Sequence, residues 1–149
     1  ATTANVLTLT DNLADALNIK EGANSYVKFI TTNSAERIVL GKDLVRNGSA
    51  AAADGAISQK EGLVAVTKAG VCAMTLADPT ATTDDYKVLT FVSSTANAHT
   101  LDNSAGSGFN GGGAASDVGT FGGAAGDGIT VMAYQGVWYV VDKTNVTLA

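Results

Sequence analysis

Any chemistry in this chain has to be assembled from a short supply of reactive side chains. His99 is the one imidazole and Cys72 the one thiol. A zinc site draws several His and Cys ligands together, which a single copy of each does not provide. Nucleophilic catalysis fares no better, because the chain has no Gly-x-Ser-x-Gly elbow to present a serine. Cys72, between Val71 and Ala73, reads as a small core residue. His99, among Ala98, Thr100 and Leu101, reads as a packed or hydrogen-bonded strand histidine. Asp84-Asp85 with Asp78 upstream raise calcium as an idea, but their spacing fits no EF-hand loop. Pro79 and Thr80 to Thr83 read instead as a turn, where aspartates cap the backbone and keep an edge soluble. Asp117 and Asp127 take the same reading. The expectation is therefore a non-enzyme with no catalytic, cofactor-binding or metal-binding residue assigned.

A glycine-rich tract supplies the other chemical candidate. Gly106-x-Gly108-x-x-Gly111 matches the dinucleotide fingerprint as a string. That motif works only when a helix follows, so that its N-terminus receives the pyrophosphate. Here Gly112-Gly113-Ala114-Ala115-Ser116 follows, which predicts a long surface loop, flexible and suited to contact with neighbouring subunits. Asn47-Gly48-Ser49 and Asn145-Val146-Thr147 have the form of glycosylation sequons, but without a secretory signal they reflect local composition. Trp138 and Tyr139 alternate along one strand, so one should face the core and the other a surface. Tyr134, across the turn, could pair with either ring.

The elements that carry these residues are strands. Val6 to Thr10 alternates apolar and polar residues, the period of a half-buried strand. Leu13 to Lys20 is open to a helical or an extended reading, and the strand is favoured because only a turn separates it from Tyr26 to Thr31. Arg37 to Leu40 makes a fourth short strand. Residues 47–62 open on Asn-Gly-Ser and four alanines, too short a run to hold a helix by itself, and read as a linker or surface loop. Strand signals return at Leu63 to Thr67, Val71 to Leu76, Lys87 to Ser93 (the central strand), His99 to Leu101 and Val118 to Phe121. Ile129 to Tyr134 and Val137 to Val141 flank Gln135-Gly136, a tight hairpin turn, and Val146 to Leu148 adds an edge. Many short strands between Gly and Asp turns, with no repeat of 20–50 residues, predict an all-β protein. It should comprise an N-terminal β-rich arm (1–46), a linker (47–62) and a C-terminal β-sandwich or barrel (63–149). An arm that short must dock on something.

Composition narrows the partners. Charged residues make up 15% of the 149, against roughly 25% in a typical soluble domain. The 25 alanines leave Leu, Ile, Val and Phe at 35 residues, enough for a thin core. A surface so poor in charge suggests cover by partner subunits. The net charge of −5 and scattered basic residues disfavour nucleic acid, whose phosphates require clustered Lys and Arg. No apolar run approaches the roughly 20 residues of a membrane-spanning helix. The first residues lack the basic and apolar regions of a secretory signal. A start at Ala1 fits removal of an initiator methionine or a chain already processed. A lone cysteine implies no internal disulfide and a reducing site of synthesis.

Two stretches carry a resemblance. Leu7 to Gly41, with Asn-Ile-Lys-Glu-Gly, Ser-Tyr-Val-Lys-Phe-Ile-Thr-Thr and Ile-Val-Leu-Gly-Lys, resembles a β-rich module of tailed-bacteriophage virion proteins. Thr75 to Val141 resembles another phage structural segment, through Lys87 to Ser93, Ala98-His99-Thr100, Gly108 to Gly112, Gly126-Asp127-Gly128 and Tyr134-x-Gly136-Val137-Trp138-Tyr139. The resemblance implies a small virion structural protein similar to capsid decoration (cement) proteins. Such a protein would be made in the host cytoplasm and carried on the outer capsid surface as a homotrimer. It would bridge subunits of the major capsid protein through contacts repeated with symmetry. The arm, Val6 to Leu40, is expected to make intersubunit or capsid contacts, with the C-terminal unit as the outward body. The alternative is a tail, fibre or head-fibre component whose tip binds a host surface through Trp138, Tyr139 and the glycine loop. No enzymatic residues, no cofactor, no nucleic acid and no membrane come with either reading.

Overall fold

The computed structural model describes residues 6–42 and 46–149, which fall into two compact units, Ala1–Val45 and Arg46–Ala149. Both are built from strands, as the alternating pattern requires. The described elements form three sheets, none of them closed into a barrel.

In the first unit, β1 (Leu17–Glu21), β2 (Asn24–Ile30) and β3 (Arg37–Leu40) form an antiparallel sheet in the order β1-β2-β3. The strand reading of Leu13 to Lys20 thus holds from Leu17 onward. Val6 to Thr10 forms no strand, although the Thr10 carbonyl accepts a hydrogen bond from the Thr31 hydroxyl. Five residues of alternating pattern do not make a strand without a partner ladder.

The second unit is a sandwich of two five-stranded sheets with one core between them. The chain enters through β4 (Gly48–Ala51) and β5 (Gly55–Ile57), then runs through β6 (Gly62–Val66), β7 (Ala73–Leu76), β8 (Val88–Ser93) and β9 (Thr100–Asp102). These six strands alternate between the sheets, β4, β6 and β8 pairing in parallel in one and β5, β7 and β9 in the other. The path is that of three stacked coils. The remaining strands are antiparallel: β10 (Val118–Phe121), β11 (Gly128–Tyr134), β12 (Val137–Thr144) and β13 (Val146–Leu148). The final orders are β12-β11-β8-β6-β4 and β13-β10-β9-β7-β5. β8 is central and β13 lies at an edge, as their sequences predict.

Residues 47–62 are therefore not a linker, since β4 and β5 are the first coil of the sandwich. Leu63 and Thr67 donate to the carbonyls of Asn47 and Ala51, both at 2.9 Å. β4 is an edge strand whose Gly48, Ser49 and Ala50 are exposed, while Ala51 is buried beside Val66, itself paired to Ser93. The domain boundary accordingly falls after Val45. Gly48 sits beside Leu63 and Leu63 beside Thr90, so successive coils differ in length, and no fixed repeat exists for the sequence to display.

Core side chains alternate along the strands. Val64, Val66, Leu89, Phe91, Ile129, Val131 and Trp138 come from one sheet, and Met74, Leu76, Leu101, Phe121 and Val146 from the other. Fully burying each of the larger ones contributes about 1.5–3 kcal/mol, which lets a unit poor in large apolar residues hold together.

Candidate functional site

His99, Cys72 and Thr95 meet in the interior. His99 Nδ1 accepts the Cys72 N–H at 3.0 Å. Thr95 gives its hydroxyl proton to the Lys68 carbonyl, so its oxygen takes the proton on His99 Nε2, 3.1 Å away. The ring is neutral and fully used, tying β7 to the start of β9, with Phe121 packed edge-on at 6.0 Å. Burial holds its pKa below the ordinary imidazole value, against weaker opposing pulls from Thr95 and the charge of Asp127. Burial and the charge of Asp54 push the Cys72 thiol up, and the thiol donates to the Ala53 carbonyl. Neither group is presented to a substrate.

The aspartates cap turns one at a time. Asp84 accepts from the Thr80 N–H and pairs with Lys87 at 2.7 Å. The Lys87 ammonium, and then that N–H, hold its carboxyl below the usual range. Asp85 receives the Thr82 N–H together with both the backbone and side-chain N–H of Gln135. It thereby pins the hairpin turn, in which Gln135 and Gly136 both have positive φ. Asp78 binds the Ser107 N–H and hydroxyl. Asp127 gathers the Ala124 N–H and the Asn145 amide, which lower its pKa in that order. Among the described residues no three His, Cys, Asp or Glu side chains converge as metal ligands.

The glycine tract lies largely at the surface, as its composition predicts, but it is fastened there by specific contacts. It folds into 3-10 turns at Phe109–Gly111 and Gly113–Ala115. Phe109 is buried in the core, its N–H donating to the Ser116 carbonyl and its own carbonyl accepting from the Ser116 hydroxyl. Asn110 accepts the Val140 N–H at 2.8 Å, which fixes the tract to β12. No α-helix follows it to receive a phosphate.

What remains is a surface. Trp138 is fully buried, its indole N–H donating to the Ala77 carbonyl. It therefore cannot serve in a contact patch, while Tyr139 points the other way. Tyr134 lies opposite Val137 and pairs with neither Trp138 nor Tyr139; its ring meets Tyr86 at 5.7 Å and 44°. On the outer face of the β12-β11-β8-β6-β4 sheet, Val88, Met132 and Tyr139 form one row. Leu63, Thr90, Thr130 and Asp142 form the next, and Ala65, Val92, Gly128 and Thr144 a third. Asp142 is the one charge in those rows. At the end stand Tyr134 and Tyr86, the latter 71% exposed and held at φ 68, a conformation that a bulky side chain rarely adopts. Thr82 in the same loop has φ 67. Strain of this kind persists where the surroundings over-determine it, and here Asp84, Asp85 and the Ala133 carbonyl do so.

Sequence reasoning passed over Tyr86, whose one signal was an aromatic placed between an aspartate turn and the central strand. No family model matches the chain, and the search of curated proteins returns no match. No helix among the described residues is long and apolar enough to cross a membrane.

Proposed function

We propose that this protein decorates a bacteriophage capsid, bridging copies of the major capsid protein on the outer surface of the shell. The observation that carries the reading is the tyrosine-rich outer face: Tyr86, Tyr134, Tyr139, Met132 and Val88 in one patch, with a single carboxylate in the adjoining rows. Aromatic and Met side chains are enriched where protein surfaces dock, and charge is depleted there. An interior with every reactive group committed to structure supports an associative role. The acidic, charge-poor composition and the likeness of Leu7 to Gly41 and Thr75 to Val141 to phage virion modules support placing that role on a shell, away from packaged DNA. Each copy would contribute a modest contact, multiplied by self-association into a symmetric oligomer, a homotrimer in the simplest form.

The test is rebinding to capsids stripped of the protein. Wild type is expected to bind in fixed ratio to the shell subunit. Replacing both Tyr86 and Tyr134 with alanine should weaken binding at least about tenfold, the scale of an aromatic anchor, and leave the Trp138 fluorescence of the folded sandwich unchanged. Failure of wild type to bind shells, with binding to intact host cells, would replace this reading with the tail or fibre alternative.

A further inference from the structure

Asp142 stands on the outer face only because the fold breaks the strand period to put it there. Along β12, Trp138 and Val140 turn inward and pack with the core, so a period of two would carry Asp142 to the same side. The ladder with β11 interrupts that period. Thr130 pairs with Asp142 but Val131 pairs with Val140, which leaves Val141 as the extra residue of a β-bulge. Bulges re-aim side chains in this way. Asp142 therefore shares the outer face with Thr130 and Thr90. Lys143 takes the inner side opposite Ile129, where its ammonium donates to the Val146 carbonyl at 2.8 Å.

The carboxylate so placed lines a notch of about 110 Å³ together with Thr90, Thr130 and Thr144. Gly128 lines it too, and a Cβ there would stand 2.6 Å from the Phe91 carbonyl oxygen, so no side chain fills the notch from that position. The Thr90 and Thr130 hydroxyls lie 3.1 Å apart and keep lone pairs for a further donor. Asp78, Asp84, Asp85 and Asp127 are each held by donors of their own turns. Asp142 forms no ion pair among the described residues.

We infer that this notch receives a basic side chain of the shell subunit, whose ammonium or guanidinium head pairs with Asp142. The inference rests on the tyrosine face being the face that docks. Charge then fixes the partner's chemistry. A docked partner would strip water from Asp142, and an enclosed carboxylate without a counter-charge opposes docking strongly. A cationic head both cancels that charge and donates to the hydroxyl oxygens beside it. Val141, 61% exposed at the bulge, and Leu63, in the row of Thr90, are apolar neighbours that would exclude water from the pair.

Rebinding to stripped shells tests this pairing. Wild-type binding should weaken as NaCl rises from about 50 to about 500 mM, because salt screens the pair. Asp142→Asn should bind at least about tenfold more weakly at low salt and lose most of that salt dependence, and Asp142→Lys should bind more weakly still. Asp117→Asn removes the same charge next to β10 of the other sheet and should bind as wild type does. Trp138 emission should be unchanged in all three variants. Equal binding by wild type and Asp142→Asn would overturn the inference and leave the decoration reading standing. An equal loss in Asp117→Asn would do the same, by assigning the effect to net charge. Loss of wild-type binding on adding EDTA would overturn it by making the occupant a divalent cation. A wild type that binds no shells would overturn both readings.

Discussion

His99 shows how the fold uses its reactive groups as struts. Its acceptor nitrogen holds the Cys72 N–H, so a second proton on the ring would break that bond inside the core. The pKa of the folded state is lowered by burial, which sets the sign of the pH effect. Above the ordinary value of about 6.5 the ring is neutral whether the chain is folded or not, and it adds no pH dependence. As the pH falls below that value the unfolded chain takes up a proton that the fold resists, so stability declines, and the decline ends once the pH passes below the folded pKa. Urea midpoints should therefore fall between pH 7.5 and 5.5 in wild type. His99→Gln should start lower, for want of the full bonding set, and vary less across that interval. A flat wild-type profile would contradict the assignment. The carboxylates act in a separate window. Asp84 and Asp127 are held below the usual range, so their contribution is present above about pH 4 and is lost as the pH falls through their lowered values.

Among the elements, the strands with alternating sequence were legible and those built from small residues were not. Arg37–Leu40, Val118–Phe121 and the Gln135-Gly136 hairpin lie where period and turn chemistry put them. β4 escaped because Gly48-Ser49-Ala50-Ala51 carries no hydrophobic period. Its place is set by the ladder it makes with Leu63 to Val66, a tertiary constraint that composition does not express. In the glycine tract the surface position was legible and the anchor was not, since a single Phe109 enters the core from among exposed glycines. A close approach at Gly62 makes the β4 assignment testable. Gly62 has φ +97, and a Cβ there would stand 1.9 Å from the Asn47 carbonyl oxygen. Gly62→Ala should thus push β4 off β6, with a stability loss of about 1–3 kcal/mol from the backbone conformation alone. Amide exchange should accelerate at Leu63 and Thr67, the donors to β4, while the β11–β12 hairpin keeps its protection. Were residues 47–62 a linker, the substitution would change neither.

On the scale of the whole molecule, the two units differ in what each possesses. Every member of the core cluster lies between Ala51 and Val146, inside the unit Arg46–Ala149. That unit closes its own two-layer sandwich, whereas the described residues of the first unit form one sheet with no second layer among them. A sandwich with a single core needs nothing from outside to fold, so residues 46–149 alone should give a cooperative urea transition and the blue-shifted emission of a buried Trp138. Residues 1–45 alone should lack a transition. The fragment also locates the shell contact. With Tyr86, Tyr134 and Tyr139 still in place it should bind stripped shells in fixed ratio to the shell subunit. Complete loss of shell binding by a folded fragment would move the anchor from the tyrosine face to the N-terminal sheet.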